Sequence, residues 1–141
     1  MGTNFFYRTN VCGHCDRYQE VHVGKRSAGW SFGFRGYPHT LFDVEHPEWG
    51  YDTESPFGFP VLSRADWRKV FADTPGELWD EYGRRVDEPA VWLDQHEAPD
   101  DAQIRKEEGM TSIAWWVDGY SPGARSWRDA EGFRFDVGEF S

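Results

Sequence analysis

Cys12 and Cys15 are the only cysteines of the chain and stand as Cys12-Gly13-His14-Cys15, with a histidine following inside Glu20-Val21-His22-Val23. Thiolates at C-x-x-C spacing can fill two corners of a tetrahedral zinc, because the two intervening residues form a knuckle that turns both sulfurs inward. His22 would bring a third ligand on the segment that leaves the knuckle. With no third cysteine, the fourth corner falls to His39, His14, His46 or water. His39 is preferred, because Trp30–Arg35 would run back toward the knuckle and release it after Pro38. The expectation is a structural zinc on Cys12, Cys15, His22 and His39, whose binding adds folding free energy at this end of the chain. Against it stands the plainer reading of two buried small hydrophobes or a redox pair.

A catalytic zinc would keep one position open to water, with Glu20 or Glu48 as base. His46-Pro47-Glu48 matches the H-x-E half of the zinc deaminase signature, but the cysteines precede it and Val11 stands where that signature has proline. There is no H-E-x-x-H. The residues therefore favour a non-enzymatic protein, with a zinc-dependent hydrolase as the alternative.

Gly24-Lys25-Arg26-Ser27 offers a glycine, two cations and a hydroxyl in sequence, the chemistry of an anion cradle. It is not a Walker A loop, which would need glycine at position 19, where Gln19 stands. A small phosphate-bearing ligand held by Lys25, Arg26 and Ser27, with Trp30 as a stacking face, is one reading. An ordinary exposed hairpin turn has the same composition and is favoured.

The elements that must position these groups read as strand, knuckle, strand, turn, strand. Phe5 and Tyr7 alternate with polar neighbours, as do Glu20–Val23 and Trp30–Arg35, and Gly24–Gly29 joins the last two. Residues 36–62 hold four Pro, three Gly, five acids and no Lys or Arg, which predicts a long irregular loop. Ser63 and Asp66 open a short helix carrying Trp67, Val70 and Phe71. Strands at 77–79 and 84–86 flank an Asp80-Glu81-Tyr82-Gly83 turn, and Asp87 could cap a second helix with Val91, Trp92 and His96. Residues 97–112 read as a charged, solvated loop or a frayed helix and 113–117 as a buried strand, and Asp129–Gly132 repeats the Asp-x-x-Gly turn. The predicted class is α+β: antiparallel β-hairpins with an N-terminal zinc knuckle and two short helices in a single domain, 1–141.

A chain of 141 residues with eight Trp, eleven Phe and six Tyr can bury a core without staples. Its net charge of −10 is uneven: residues 1–40 carry five Lys/Arg against two Asp/Glu, and the remainder ten against twenty-three. Long-range repulsion from phosphates argues against general nucleic-acid binding. No apolar stretch reaches the roughly 20 residues of a spanning helix, and the start lacks a signal-type apolar run, so a soluble, cytoplasmic protein is expected.

Several pieces together resemble a family of small, uncharacterised proteins encoded by bacteriophages and prophages. They are Met1-Gly2-Thr3-Asn4, Cys12-x-x-Cys15 with Arg17, His22-Val23-Gly24-Lys25-x-Ser27-x-Gly29-Trp30-x-Phe32, Trp67, Asp80-Glu81-Tyr82-Gly83, Gly132-Phe133-x-Phe135 and Glu139-Phe140-Ser141. The chain departs from that pattern at Arg26, where serine is frequent, and in its acidic 36–62 loop. The resemblance implies a phage accessory protein in the host cytoplasm that binds and modulates a host component, a host protein first of all. Trp49, Tyr51 and Phe57 would be its anchors.

Overall fold

A computed structural model describes residues 2–9, 18–38, 55–110, 117–118 and 126–137. Their frame is an eight-stranded, mostly antiparallel sheet with three helices. The strands are β1 (Gly2–Thr9), β2 (Gln19–Ser27), β3 (Gly33–Arg35), β4 (Gly76–Asp80), β5 (Arg85–Val86), β6 (Val117–Asp118), β7 (Ser126–Arg128) and β8 (Arg134–Asp136). Their order is β5-β4-β1-β2-β3-β8-β7-β6, with β3–β8 and β6–β7 parallel. Antiparallel hairpins alone therefore do not account for the fold, since β8 inserts between β3 and β7.

Alternation explains which face is dry. Phe5, Tyr7, Val21, Val23, Phe34, Leu78, Trp127 and Phe135 are buried, and their polar neighbours turn the other way. Two helices, α1 (Arg64–Asp73) and α2 (Pro89–Asp94), pack together and bring Trp67, Val70, Trp92 and Leu93 to this core. The α1 start is as its sequence predicts: Ser63 Oγ accepts the Asp66 N–H at 3.2 Å, and Asp66 in turn accepts the Leu62 N–H at 2.8 Å. The cap of α2 differs. Its N-cap is Glu88, one residue later than Asp87, and Pro89 pre-sets the first turn without a side-chain cap. Buried indoles are tied to the backbone, Trp67 Nε1 donating to the Arg35 carbonyl and Trp127 Nε1 to that of Leu62.

Of the 97–112 stretch, expected as a charged loop or a frayed helix, Asp101–Met110 form helix α3, opened by Asp100, whose carboxylate accepts the Gln103 N–H. It escapes the apolar-stripe rule because Glu107, rather than a hydrophobe, is its buried docking residue. In β7 and β8, Trp127 opposes Phe135 on the core face, so the neighbouring rung of Arg128 and Arg134 faces the other way. Glu107 meets Arg128 there, at 3.3 Å.

The two Asp-x-x-Gly turns are twins. Asp80 accepts the N–H groups of Tyr82 and Arg84, and Asp129 those of Glu131 and Phe133. Gly83 (φ +83°) and Gly132 (φ +95°) occupy the left-handed position that each turn requires. Of the long acidic loop, the described ends close on each other through paired Tyr37 and Val61 backbone bonds. Phe57 is half-buried with its ring 6.0 Å from Trp67, so it belongs to the packing and does not stand free as an interaction anchor. Trp49 and Tyr51 lie outside the described residues.

Candidate functional site

Cys12, Cys15, His14, His39 and His46 also lie outside the described residues. His22, the remaining predicted ligand, sits on β2 opposite Phe6, three rungs in from the Thr9–Gln19 pair, about 10 Å along the strand. Its Nε2 is 3.0 Å from Asn4 Oδ1 and 3.1 Å from the Gly24 carbonyl, and the carbonyl can only accept, so Nε2 carries the proton in that contact. Nε2 would have to give up these bonds to bind a metal. Among the described residues no group of three or more His, Cys, Asp or Glu side chains could hold a metal ion.

The segment 24–30 is arranged differently from a cradle. β2 continues through Ser27, and the turn is only Ser27–Trp30, closed by the Trp30 N–H on the Ser27 carbonyl, with Gly29 at φ +82°. Lys25 and Arg26 are therefore successive strand residues facing opposite ways, and they cannot converge on one phosphate. A bulge decides which one faces inward. Phe5 pairs with Gly24 but Phe6 with His22, leaving Val23 as the extra residue. Beyond it, even-numbered positions of β2 turn to the core side, and the Arg26 guanidinium lies 5.4 Å from the Phe5 ring centroid.

Arg26 there borders a cleft of about 430 Å³, with Trp30 and Phe32 beside it and Gln95, His96 and Glu97 facing it from the chain that leaves α2. The walls are aromatic. Phe32 stacks on His96 (4.3 Å, 24°), and Trp92 meets both rings edge-on. Phe32 reaches this position because residue 24 has no side chain: a Cβ on Gly24 would stand 2.5 Å from Phe32 Cε1 and 2.3 Å from the Gly33 carbonyl. Trp30 is held from outside the cleft wall by Arg134, whose guanidinium lies 4.6 Å from the ring centroid and donates to the Ser31 carbonyl.

The electrostatics of the cleft run against the charge of the whole chain. Burial first, and then the cations Arg26 and Arg64, push His96 down to about 4, so at neutral pH its imidazole is uncharged in a locally positive field. Its Nε2 and the Nε1 of Trp92 are buried without hydrogen-bond partners among the described residues. Arg26 itself is solvent-exposed and borders the cleft.

Of the predicted ligand residues, Arg26 and Trp30 reach the cleft, while Lys25 and Ser27 do not line it. Phe32, Gln95, His96 and Glu97 were not singled out as site residues. Their only sequence signal is the Trp92-x-x-x-His96 spacing, which puts both rings on one side of a helical turn. Compared with protein-family models, with curated proteins and with solved structures, the chain matches none. No helix among the described residues is long and apolar enough to cross a membrane.

Proposed function

We propose that the protein is a binding protein whose recognition site is the cleft between the Ser27–Trp30 turn and the residues following α2. One observation carries this: an exposed arginine, Arg26, stands in the same cleft as an indole and a half-buried, neutral imidazole stacked on a buried phenyl ring. An aromatic side of Trp30, Phe32 and His96 with Arg26, Gln95 and Glu97 around it is suited to a small planar ligand that carries polar groups. The test is amide and indole NMR shifts against a library of small planar compounds. Shifts at 26–32 and 95–97 that saturate, and that vanish in Trp30→Ala, are expected.

A second reading rests on Cys12-x-x-Cys15 and on the resemblance to phage-encoded proteins: a non-enzymatic, zinc-binding accessory protein acting on a host component in the host cytoplasm. The two are compatible, since they call on different residues: Cys12, Cys15, His22 and His39 for the metal, and Arg26 with Trp30 and Phe32 for the cleft. Elemental analysis of chelator-free protein tests the metal, and one zinc per chain is expected.

A further inference from the structure

We infer that the cleft takes a nucleoside monophosphate, with the base stacked on Trp30, its phosphate on Arg26 and a base amino group directed to Glu97. This deepens the binding-site reading and rests on it. The indole of Trp30 is already held on the Arg134 guanidinium at 4.6 Å, and its turn is fixed by the Ser31 bonds to Glu107 and Arg134, so the platform is pre-ordered before any ligand arrives. A base offers every stacking platform a π-face, and a guanidinium binds phosphate through paired charge-assisted bonds.

The charge inventory sets the number of phosphates. Among the described residues that line the cleft Arg26 is the one cationic side chain, and Glu97 is a carboxylate in the same lining. A single phosphate is matched by the one guanidinium. A triphosphate would bring further charges next to Glu97, while the nearby Arg64 and Arg134 are already engaged, Arg64 by Glu131 and the His96 carbonyl and Arg134 by the Ser31 carbonyl. The carboxylate is suited instead to the amino and ring N–H donors of a purine edge, and the Gln95 amide can both donate and accept. Purine, sugar and one phosphate fill a cleft of about 430 Å³ better than a single-ring acid would.

The experiment is isothermal titration of the full chain with AMP, GMP, guanosine, inorganic phosphate and GTP, repeated on Arg26→Ala, Trp30→Ala and Glu97→Gln. The parent should bind at least one monophosphate saturably and about tenfold more tightly than its nucleoside, free phosphate or triphosphate counterpart. Arg26→Ala should erase the advantage over the nucleoside, Trp30→Ala should weaken every base-bearing ligand, and Glu97→Gln should narrow the gap between mono- and triphosphate. Thermal melts of the variants check that each is folded, and Trp30→Phe replaces Trp30→Ala if the latter is not. Tighter binding of GTP than of GMP, equal competition by free phosphate, or unchanged affinity in Arg26→Ala overturns the proposal. Absence of nucleotide binding while another planar compound shifts the cleft resonances overturns it and leaves the binding-site reading standing; no shift with any compound overturns both.

Discussion

The carboxylate of Glu107 accepts hydrogen bonds from both the backbone N–H and the Oγ of Ser31, the latter at 2.9 Å, and so ties helix α3 to the turn that carries Trp30. Gln103 adds a bond to the Gly29 carbonyl at 3.0 Å. Arg128 and Arg134, both nearly inaccessible, complete the cluster. Burial would raise the Glu107 pKa, but the Ser31 and Gln103 bonds and the Arg134 charge outweigh it and hold the carboxyl below its usual value.

Glu107→Gln is expected to cost about 3 kcal/mol, since it removes the buried counter-charge of Arg128 and leaves it the longer pair with the half-exposed Glu108 at 3.8 Å. Urea denaturation measures the loss. Hydrogen exchange should show α3 and residues 28–31 opening together, and protection of α3 unchanged in the variant would refute the coupling.

His96 makes stability depend on pH in a defined window. Above about pH 6.5 the imidazole is neutral in both folded and unfolded chains; below it the unfolded chain takes up a proton that the folded chain refuses until about pH 4. Stability should therefore fall with acidification between these values, by at most about 1.4 kcal/mol per pH unit from this group. Glu107 acts in the same direction only at the acid end, as its lowered folded pKa is crossed. Thermal melts from pH 7 to 4 on parent and His96→Phe separate the two, and the slope above pH 5 should flatten in the variant.

Gly24→Ala should open the β2–β3 pair and displace Phe32, because the new Cβ would come 2.3 Å from the Gly33 carbonyl. We expect a loss of about 1–3 kcal/mol, the usual cost of overpacking. Gly58→Ala is the contrast: nothing lies within 4 Å of its Cβ, and only the strain of φ +81° remains, about 1 kcal/mol. Chemical denaturation of the two variants should rank them in that order.

The twin turns allow a matched comparison. Asp80→Ala and Asp129→Ala each remove an acceptor for two backbone N–H groups, and Asp129 also accepts the Arg64 N–H at the start of α1, at 2.9 Å. The second should cost more, about 2–4 kcal/mol against 1–2, since three backbone donors are orphaned rather than two, and the Arg84 guanidinium that also pairs with Asp80 is exposed to water. Equal losses in denaturant midpoint would show that the bond to α1 contributes nothing.

Strands, turns and α1 could be read in advance because their signals are local: alternation at Phe5 and Tyr7, Asp-x-x-Gly, and Ser63 answered by Asp66. What could not be read depends on partners far away in sequence. Helix α3 lacks an apolar face because Glu107 docks it through Ser31 and Arg128, and no window of sequence around 107 contains either. The bulge at Val23 is likewise invisible in β2 alone, since it is defined by the register of β1. Lys25 and Arg26, legible in sequence as part of a hairpin turn or of an anion cradle, go to opposite sides because β2 continues through Ser27, and the bulge settles which of them faces the core. Cleft residues His96 and Glu97 are brought to Arg26 only when α2 lies across the sheet, a tertiary event with no motif of its own.

The place of β8 between β3 and β7 has a consequence for how the chain is made. Emerging from the ribosome, β1, β2, β3 and β4 can assemble early, but the free border of β3 must wait for residues 134–136 before it is closed. During synthesis Gly33–Arg35 thus presents unpaired backbone groups beside Phe32 and Phe34, the kind of border that recruits foreign strands. The growing polypeptide is consequently most vulnerable to aggregation over the long interval in which its hydrophobic centre exists but its closing strand does not.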